Sequence, residues 1–316
     1  MSPAVVILSF DPIVRIGGFA MRAEALGIAL VVVAAILLAA RIALVDRADS
    51  ELAGLPFRPG TADDLRLDDL LFLALGAVPG AVIAGRIGYV LAHAEYFAAN
   101  PSAIVDPAIG SLSLGLAVPG GLATAALVGR MLEAPVRVWA HVVTLPVLFA
   151  LAAGKFVLLL GGTGQGQPSD LPWAVAYAGA GPWGSLAADV PSHPAQVYES
   201  LVVLVVIVVV AVALELGAFA RRDGSALLAG VALWAVGRAL VAATWRDPSV
   251  AGPLGAEQLM ALLVVVVCLV GIAALRRRPR PGEEPTRPLR EGQAARAARR
   301  GGGVPDWPDP ESRPPF

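Results

Sequence analysis

The stretch Leu201-Val-Val-Leu-Val-Val-Ile-Val-Val-Val-Ala-Val-Ala-Leu214 contains no polar side chain. A bilayer core about 30 Å thick needs about 20 predominantly apolar residues in one helix, and this stretch with its flanks reaches that length. Such an unbroken run is typical of a helix that crosses lipid rather than of a helix on the surface of a soluble protein. The sequence therefore predicts a transmembrane helix over about residues 196–217.

The composition of the whole chain agrees with this prediction. Its 316 residues are 57% hydrophobic and 16% charged, whereas soluble domains average about 45–50% apolar and about 25% charged residues. The single cysteine, Cys268, excludes an intrachain disulfide framework and a multi-cysteine metal site. We predict an all-α membrane protein, a bundle of about seven transmembrane helices, with no metal, cofactor or nucleic-acid partner. The other six predicted spans are residues 23–45, 70–92, 112–130, 138–160, 226–243 and 257–275.

The arginines predict the orientation of the bundle, because cytoplasmic connections collect Arg and Lys. The connections that carry arginine are residues 46–69, 131–137, 218–225 and the segment after residue 275. The alternate connections at 93–111 and 161–195 contain neither Arg nor Lys. We therefore expect the N-terminus outside and the C-terminus in the cytoplasm.

Three regions follow from this topology. Residues 1–22 form an external interfacial arm, and residues 23–275 form the transmembrane domain, with an outer loop at about 161–195. Residues 276–316 are rich in Pro, Gly and Arg and lack apolar periodicity. That composition predicts a disordered, basic cytoplasmic tail.

Three cations interrupt the apolar spans, namely Arg86, Lys155 and Arg238. Ionisable residues within a membrane are costly and indicate function by default. All three fall in the outer half of their helices, so we expect them at similar depth, where they would suit a phospholipid phosphate. Two alternatives remain: the arginines only pair with Glu199, or Lys155 extends to the outer interface.

Further polar residues reach the same depth from the opposite direction. The fifth span begins with His193-Pro194-Ala195-Gln196-Val197-Tyr198-Glu199, and the third, the weakest of the seven, is interrupted at Pro119-Gly120-Gly121. Glycine-rich backbone at membrane depth is tolerated where protein or a water-lined cavity covers it. These segments predict a polar chamber that opens toward the outer leaflet, although His193 could instead only cap the fifth helix.

Several of these motifs resemble those of the bacterial prolipoprotein diacylglyceryl transferases. The segment Gly85-Arg86-Ile87-Gly88-Tyr89-Val90 is similar to a G-R-x-G-Y motif of that family, and the segment from His193 to Glu199 is similar to its H-P-x-Q-x-Y-E motif. Phe10-Asp11-Pro12 resembles an amino-terminal F-D-P, and Gly237-Arg238 followed by Arg246-Asp247-Pro248 resembles the sixth-helix region.

The resemblance implies transfer of a diacylglyceryl group from phosphatidylglycerol to the lipobox cysteine of a prolipoprotein, with glycerol phosphate leaving. It implies a multi-pass protein of the bacterial inner (plasma) membrane, whose partners are phosphatidylglycerol and prolipoprotein signal peptides. The implied catalytic residues are His193, Glu199 and Arg238, with His193 or Glu199 as the base. The implied phospholipid-binding residues are Arg86, Lys155, Tyr89, Gly120, Gly121, Gln196 and Tyr198.

The sequence also departs from the family pattern. Pro119 replaces the histidine of an H-G-G motif in the third helix, and Lys155 replaces an arginine in the fourth. Ala242 stands where an acid is expected four residues after Arg238. These departures leave an alternative function open, that of a catalytically degenerate relative that binds anionic phospholipid or lipoprotein precursors.

Overall fold

A computed structural model describes residues 5–52, 64–106, 112–179, 181–185 and 187–277. The chain divides into two units, Met1–Leu275 and Arg276–Phe316. Apart from residues 276 and 277, the predicted disordered tail lies outside the described residues.

The described residues form nine α-helices, and most of them are long and apolar. They are α1 Ala23–Leu52, α2 Leu67–Ala92, α3 Ala94–Ala99, α4 Leu114–Met131, α5 Val136–Val142, α6 Thr144–Val157, α7 Ala195–Glu215, α8 Ser225–Val241 and α9 Ala256–Arg276. Six of them are long and apolar enough to cross a membrane, and α5 with α6 can make a seventh span. The predicted bundle of about seven helices is confirmed, whereas the orientation of its termini stays a prediction.

The fourth predicted span, residues 138–160, is not one straight helix. It consists of α5 and α6, which meet at Val143 with a bend of 47°. The cause is Pro146, because proline lacks an N–H and its ring clashes with the carbonyl four residues earlier. The Thr144 hydroxyl donates to the Ala140 carbonyl at 2.9 Å across this break. The interruption expected at Pro119 was wrong, since α4 runs through that residue unbroken.

Short strands lie in the segments that the topology places outside, which an all-α prediction did not include. Strand β1 Val6–Ser9 pairs in parallel with β4 Val175–Ala178, so that Val6 lies opposite Val175. This pairing joins the predicted arm to the predicted outer loop. Two antiparallel hairpins complete the strands, namely β2 Ile13–Ile16 with β3 Phe19–Arg22, and β5 Ser249–Ala251 with β6 Leu254–Gly255.

Small residues let α2 and α4 pack closely against each other. A Cβ on Gly80 would collide with the Gly120 carbonyl and the Thr124 side chain, and a Cβ on Gly120 would collide with Ala84. A Cβ on Gly121 would lie 3.1 Å from the Ala77 carbonyl oxygen. Close approach through small residues drives helix association in lipid, where hydrophobic burial gives little advantage. Gly120 and Gly121 thus have a packing role, and their predicted contact with phospholipid stays a prediction.

At the end of the bundle where α1 ends and α8 begins, a charged pair joins two elements. Both terminal nitrogens of Arg222 donate to the Asp46 carboxylate, at 2.9 and 3.0 Å. This bidentate contact joins the last third of α1 to the connection between α7 and α8. Between the two ends, α6, α7, α8 and α9 share a buried apolar core that includes Leu148, Val203 and Trp234.

We expect Gly80→Ala to destabilise the protein, because the added methyl group overfills the contact with α4 at a cost of about 1–3 kcal/mol. Gly154→Ala is the matched control, since a Cβ at that position meets nothing within 4 Å. Thermal unfolding in detergent is the measurement. Equal Tm values for the two variants would contradict close packing at Gly80.

Candidate functional site

Four charged side chains meet where α6 and α8 end and where α7 and α9 begin. The Lys155 ammonium lies 2.9 Å from Oε2 of Glu199, and Nη1 of Arg238 lies 2.8 Å from Oε1 of the same carboxylate. Nη2 of Arg238 lies 2.8 Å from Oε2 of Glu257. We call Lys155, Glu199, Arg238 and Glu257 the charge cluster. It unites two of the three predicted cations and one of the two candidate bases.

The charge cluster is enclosed by protein. Glu199 is fully buried and Arg238 is 3% exposed. The Arg238 guanidinium lies 4.5 Å from the centroid of the Trp245 ring, and the Lys155 ammonium lies 5.5 Å from that centroid. Trp234 adds a long contact of 3.4 Å from its indole nitrogen to Glu199. Lys155 therefore points to a buried carboxylate instead of extending to the interface.

The formal charges in the cluster balance, because Lys155 and Arg238 face the carboxylates of Glu199 and Glu257. Buried charges require such compensation, since removing either partner leaves an ion without its solvation. Arg238 keeps some donor capacity: its Nε is buried and has no hydrogen-bond partner among the described residues. Lysine and arginine carry three and five N–H donors respectively. The cluster can therefore bind an anion without releasing its carboxylates.

Arg86 lies in a different setting. It donates to the carbonyl oxygens of Ala103, Ile104 and Asp106, at 2.5, 2.7 and 3.0 Å. Its guanidinium also lies 5.9 Å from the centroid of the Tyr89 ring. These contacts hold the segment that follows α3. Lys155 and Arg238 both contact Glu199, and the contacts of Arg86 named above do not include that carboxylate.

Backbone contacts nevertheless put this part of α2 at the same end of the bundle as the charge cluster. The amide of Ser113 donates to the carbonyl of Gly85 at 2.8 Å. Two residues later, a Cβ on Gly115 would lie 2.9 Å from Oε2 of Glu257. The similar depth expected for the three cations is consistent with these contacts.

His193 precedes Glu199 by six positions, in the segment that leads into α7. Its Nδ1 is 3.3 Å from the hydroxyl of Tyr198, and that hydroxyl accepts a hydrogen bond from Nε1 of Trp173 at 2.7 Å. The residue that caps α7 is Pro194, and no side chain makes a capping hydrogen bond there. The alternative that His193 only caps the helix is therefore not observed. Its half-buried imidazole instead joins a short chain of polar side chains.

Three segments form a junction around His193. The amide of Gly166 donates to the His193 carbonyl at 2.8 Å, the His193 amide donates to the Gln167 carbonyl at 2.9 Å, and the Gln167 amide donates to the Thr244 carbonyl at 2.8 Å. Arg246 donates to the Gly166 carbonyl at 2.7 Å and to the Ser192 hydroxyl at 2.9 Å. We call this network the outer junction. It fixes His193 relative to the ends of α6 and α8.

Gln196 is buried and anchors the same region. Its amide nitrogen donates to the Thr163 carbonyl at 2.9 Å, and the Thr163 hydroxyl donates to Glu24 at 2.8 Å. Nearby, burial raises the pKa of Tyr177 to about 12, so that its phenol stays protonated at neutral pH. The phospholipid-binding roles predicted for Gln196 and Tyr198 stay predictions.

Two charged residues of the site were missing from the predicted set. Glu257 follows Arg238 by nineteen positions and belongs to another helix, so sequence spacing did not connect them. Arg246 was noted only as part of a motif. Its described partners are all uncharged, so its positive charge is not paired with a carboxylate in the part of the chain that the structure describes. The useful signal was that Arg246 is the sole cation in an outer connection.

The sequence of this chain is similar to those of known transferases. The sequence model of the prolipoprotein diacylglyceryl transferase family matches residues 12–274. A relative from Gloeobacter violaceus is 30% identical over 281 residues, which cover 86% of this chain and 95% of the relative. Relatives from Nitrobacter winogradskyi and Cupriavidus pinatubonensis are 28% and 31% identical, covering 68% and 69% of this chain and 72% and 77% of the relatives.

All three relatives are named phosphatidylglycerol–prolipoprotein diacylglyceryl transferase. The comparisons give no support to the alternative of a degenerate, non-catalytic relative. The match extends from the residue after Asp11 to within two residues of the end of α9, so it includes the charge cluster and the outer junction. The chain belongs to the prolipoprotein diacylglyceryl transferase family.

Proposed function

We propose that this protein transfers the diacylglyceryl group of phosphatidylglycerol to the lipobox cysteine of prolipoproteins, recognised through their signal peptides. The observation that carries the proposal is the buried charge cluster of Lys155, Glu199, Arg238 and Glu257, in a chain of this family. The membrane is the bacterial cytoplasmic membrane, with the charge cluster near its outer face. The arginine distribution supports this orientation.

The reaction exchanges one bond for another at a carbon of the lipid glycerol backbone. The cysteine sulfur forms a C–S bond with that carbon, and the C–O bond to the phosphate breaks. Its electron pair leaves on glycerol phosphate, while the thiol proton goes to a base. Sulfur must react as the thiolate, and a free cysteine thiol has a pKa of about 8.5. The site must therefore remove a proton and stabilise a phosphate whose negative charge increases.

The cations of the site suit the phosphate. Lys155 and Arg238 retain N–H donors beyond those that Glu199 and Glu257 accept. Arg246 adds a positive charge without a described carboxylate partner. The phosphate can therefore bind to donors already oriented by the protein, which stabilises the leaving group without reorganisation.

The contacts favour His193 over Glu199 as the base. Both oxygens of Glu199 are already engaged by Arg238, and Lys155 contacts one of them. Glu199 is thus better suited to hold these cations than to remove a proton from a thiol. His193 is half-buried, precedes Glu199 by six positions and contacts a hydroxyl. Imidazole exchanges protons near neutral pH, which is the property that thiol activation requires.

Expression of this chain in a bacterium depleted of its own diacylglyceryl transferase tests the activity. We expect lipid label to appear on a model lipoprotein, because the site contains both a phosphate-binding group and a base. The control is the same lipoprotein with its lipobox cysteine changed to alanine. Labelling no greater than with an empty vector would contradict the proposal.

Lys155→Met is expected to slow transfer by about 10²–10³-fold, the usual effect of removing one donor that stabilises a transition-state charge. Lys155→Arg keeps the charge and is expected to retain most of the activity. Arg130→Met is the matched control at an exposed position near the end of α4. Rates are measured with purified protein in phosphatidylglycerol vesicles, alongside Tm. Full activity of Lys155→Met would remove Lys155 from the phosphate site.

His193→Gln is expected to lower kcat by about 10²–10⁴-fold, the range typical of a lost general base. His93→Gln is the control, because His93 is exposed, stacks on Tyr89 and has its Nδ1 3.0 Å from the Tyr89 carbonyl oxygen. Glu199→Gln is expected to raise KM and lower Tm, since it releases two cations. If Glu199→Gln lowered kcat alone and His193→Gln had no effect, the assignment of the base would be reversed.

A further inference from the structure

A polar cavity of about 260 Å³ lies between the connection that follows α8 and the start of α9. The residues that line it include Gln167, Trp245, Asp247, Ser249, Glu257 and Gln258. We call it the outer pocket. It is separate from the larger apolar cavity of about 370 Å³, which includes residues of α1, α2, α4 and α6.

The outer pocket shares two residues with the surroundings of Arg238. Glu257 contributes to the pocket wall and also accepts a hydrogen bond from Arg238 Nη2 at 2.8 Å. Trp245 contributes to the wall and lies with its ring centroid 4.5 Å from the Arg238 guanidinium. A group bound in the pocket is therefore adjacent to an anion bound by Arg238.

Asp247 is the wall residue without a structural task. It makes no hydrogen bond or ion pair within the residues that the structure describes, in contrast to Gln258, which accepts from the Gly255 amide and donates to the Ala239 carbonyl. Although Asp247 is exposed overall, it is one of the residues that line the pocket. Desolvation, and then the nearby negative charge of Glu257, raise the pKa of Asp247, while His93 and Arg238 oppose this effect in part. A carboxylate placed in this way is suited to accept hydrogen bonds from a ligand.

We propose that the outer pocket binds the hydroxyl-bearing headgroup of the phospholipid donor, with Asp247 and Glu257 accepting hydrogen bonds from its hydroxyls. This inference rests on the proposed function, because it assumes that the lipid phosphate binds at Arg238. Carboxylates recognise sugar and polyol hydroxyls in this way, as an acidic residue does for ribose in dinucleotide-binding folds. The outer pocket is small and polar, which fits a glycerol group and excludes an acyl chain.

The test compares donors that differ only in the headgroup. Purified full-length protein in vesicles receives phosphatidylglycerol, phosphatidylpropanol, which keeps the phosphate and the three carbons but lacks both hydroxyls, or phosphatidylethanolamine. We expect the wild type to use phosphatidylglycerol at least about tenfold faster than phosphatidylpropanol, since hydrogen bonds to charged groups have that effect on affinity.

Asp247→Ala is expected to reduce this preference to about twofold, by slowing transfer from phosphatidylglycerol while the rate with phosphatidylpropanol stays the same. Asp170→Ala is the matched control, because it removes an exposed acid of the outer loop that is not part of the pocket wall. The control should keep the preference of the wild type.

Three results would overturn the inference. They are equal use of phosphatidylglycerol and phosphatidylpropanol by the wild type, an unchanged preference in Asp247→Ala, and a preference for phosphatidylethanolamine that Asp247→Ala removes. If no donor supports transfer, the proposed function fails. Whether the outer pocket binds the headgroup is then tested by the increase in Tm that the same vesicles cause. Stabilisation by phosphatidylglycerol over phosphatidylpropanol that Asp247→Ala abolishes supports the pocket, and its absence overturns it.

Discussion

The carboxylate of Glu199, fully buried at the start of α7, binds the ammonium of Lys155 from α6 and the guanidinium of Arg238 from α8. None of these charges is tolerable alone at that depth, because an unpaired ion in a low-dielectric interior costs several kcal/mol. The pairing therefore holds three helix ends in register. The outer junction depends on this pairing, because its segments continue the chain from the same helix ends.

In the proposed function, the charge cluster also explains how a site for an anion can persist without its ligand. With Glu199 and Glu257 present, Lys155 and Arg238 are compensated while the site is empty, yet each keeps donors for a phosphate. Arg246 lies outside this balance, and in the proposed function its positive charge attracts the phosphate. The close contact of α2 with α4 and the apolar core between α6 and α9 supply the rigid frame against which these donors are oriented.

Much of the fold was predictable from the sequence, because apolar length alone specifies a membrane span. Depth along a helix was also predictable, and it placed Lys155 and Arg238 together. The direction in which a side chain points around its helix was not, which is why Arg86 was grouped with them and Glu257 was missed. Proline was ambiguous as well: α4 continues through Pro119, whereas the span that contains Pro146 bends by 47°.

The strand pairing of β1 with β4 was beyond sequence reasoning because it joins segments that are nearly 170 residues apart. The central claim, that Glu199 holds two cations which bind a lipid phosphate, is tested most directly by an experimental structure in phosphatidylglycerol-containing nanodiscs. The account predicts a phosphate within hydrogen-bonding distance of Lys155 Nζ and Arg238 Nε, with both contacts to Glu199 intact. A phosphate bound elsewhere, or Lys155 and Arg238 turned toward lipid and away from Glu199, would contradict it.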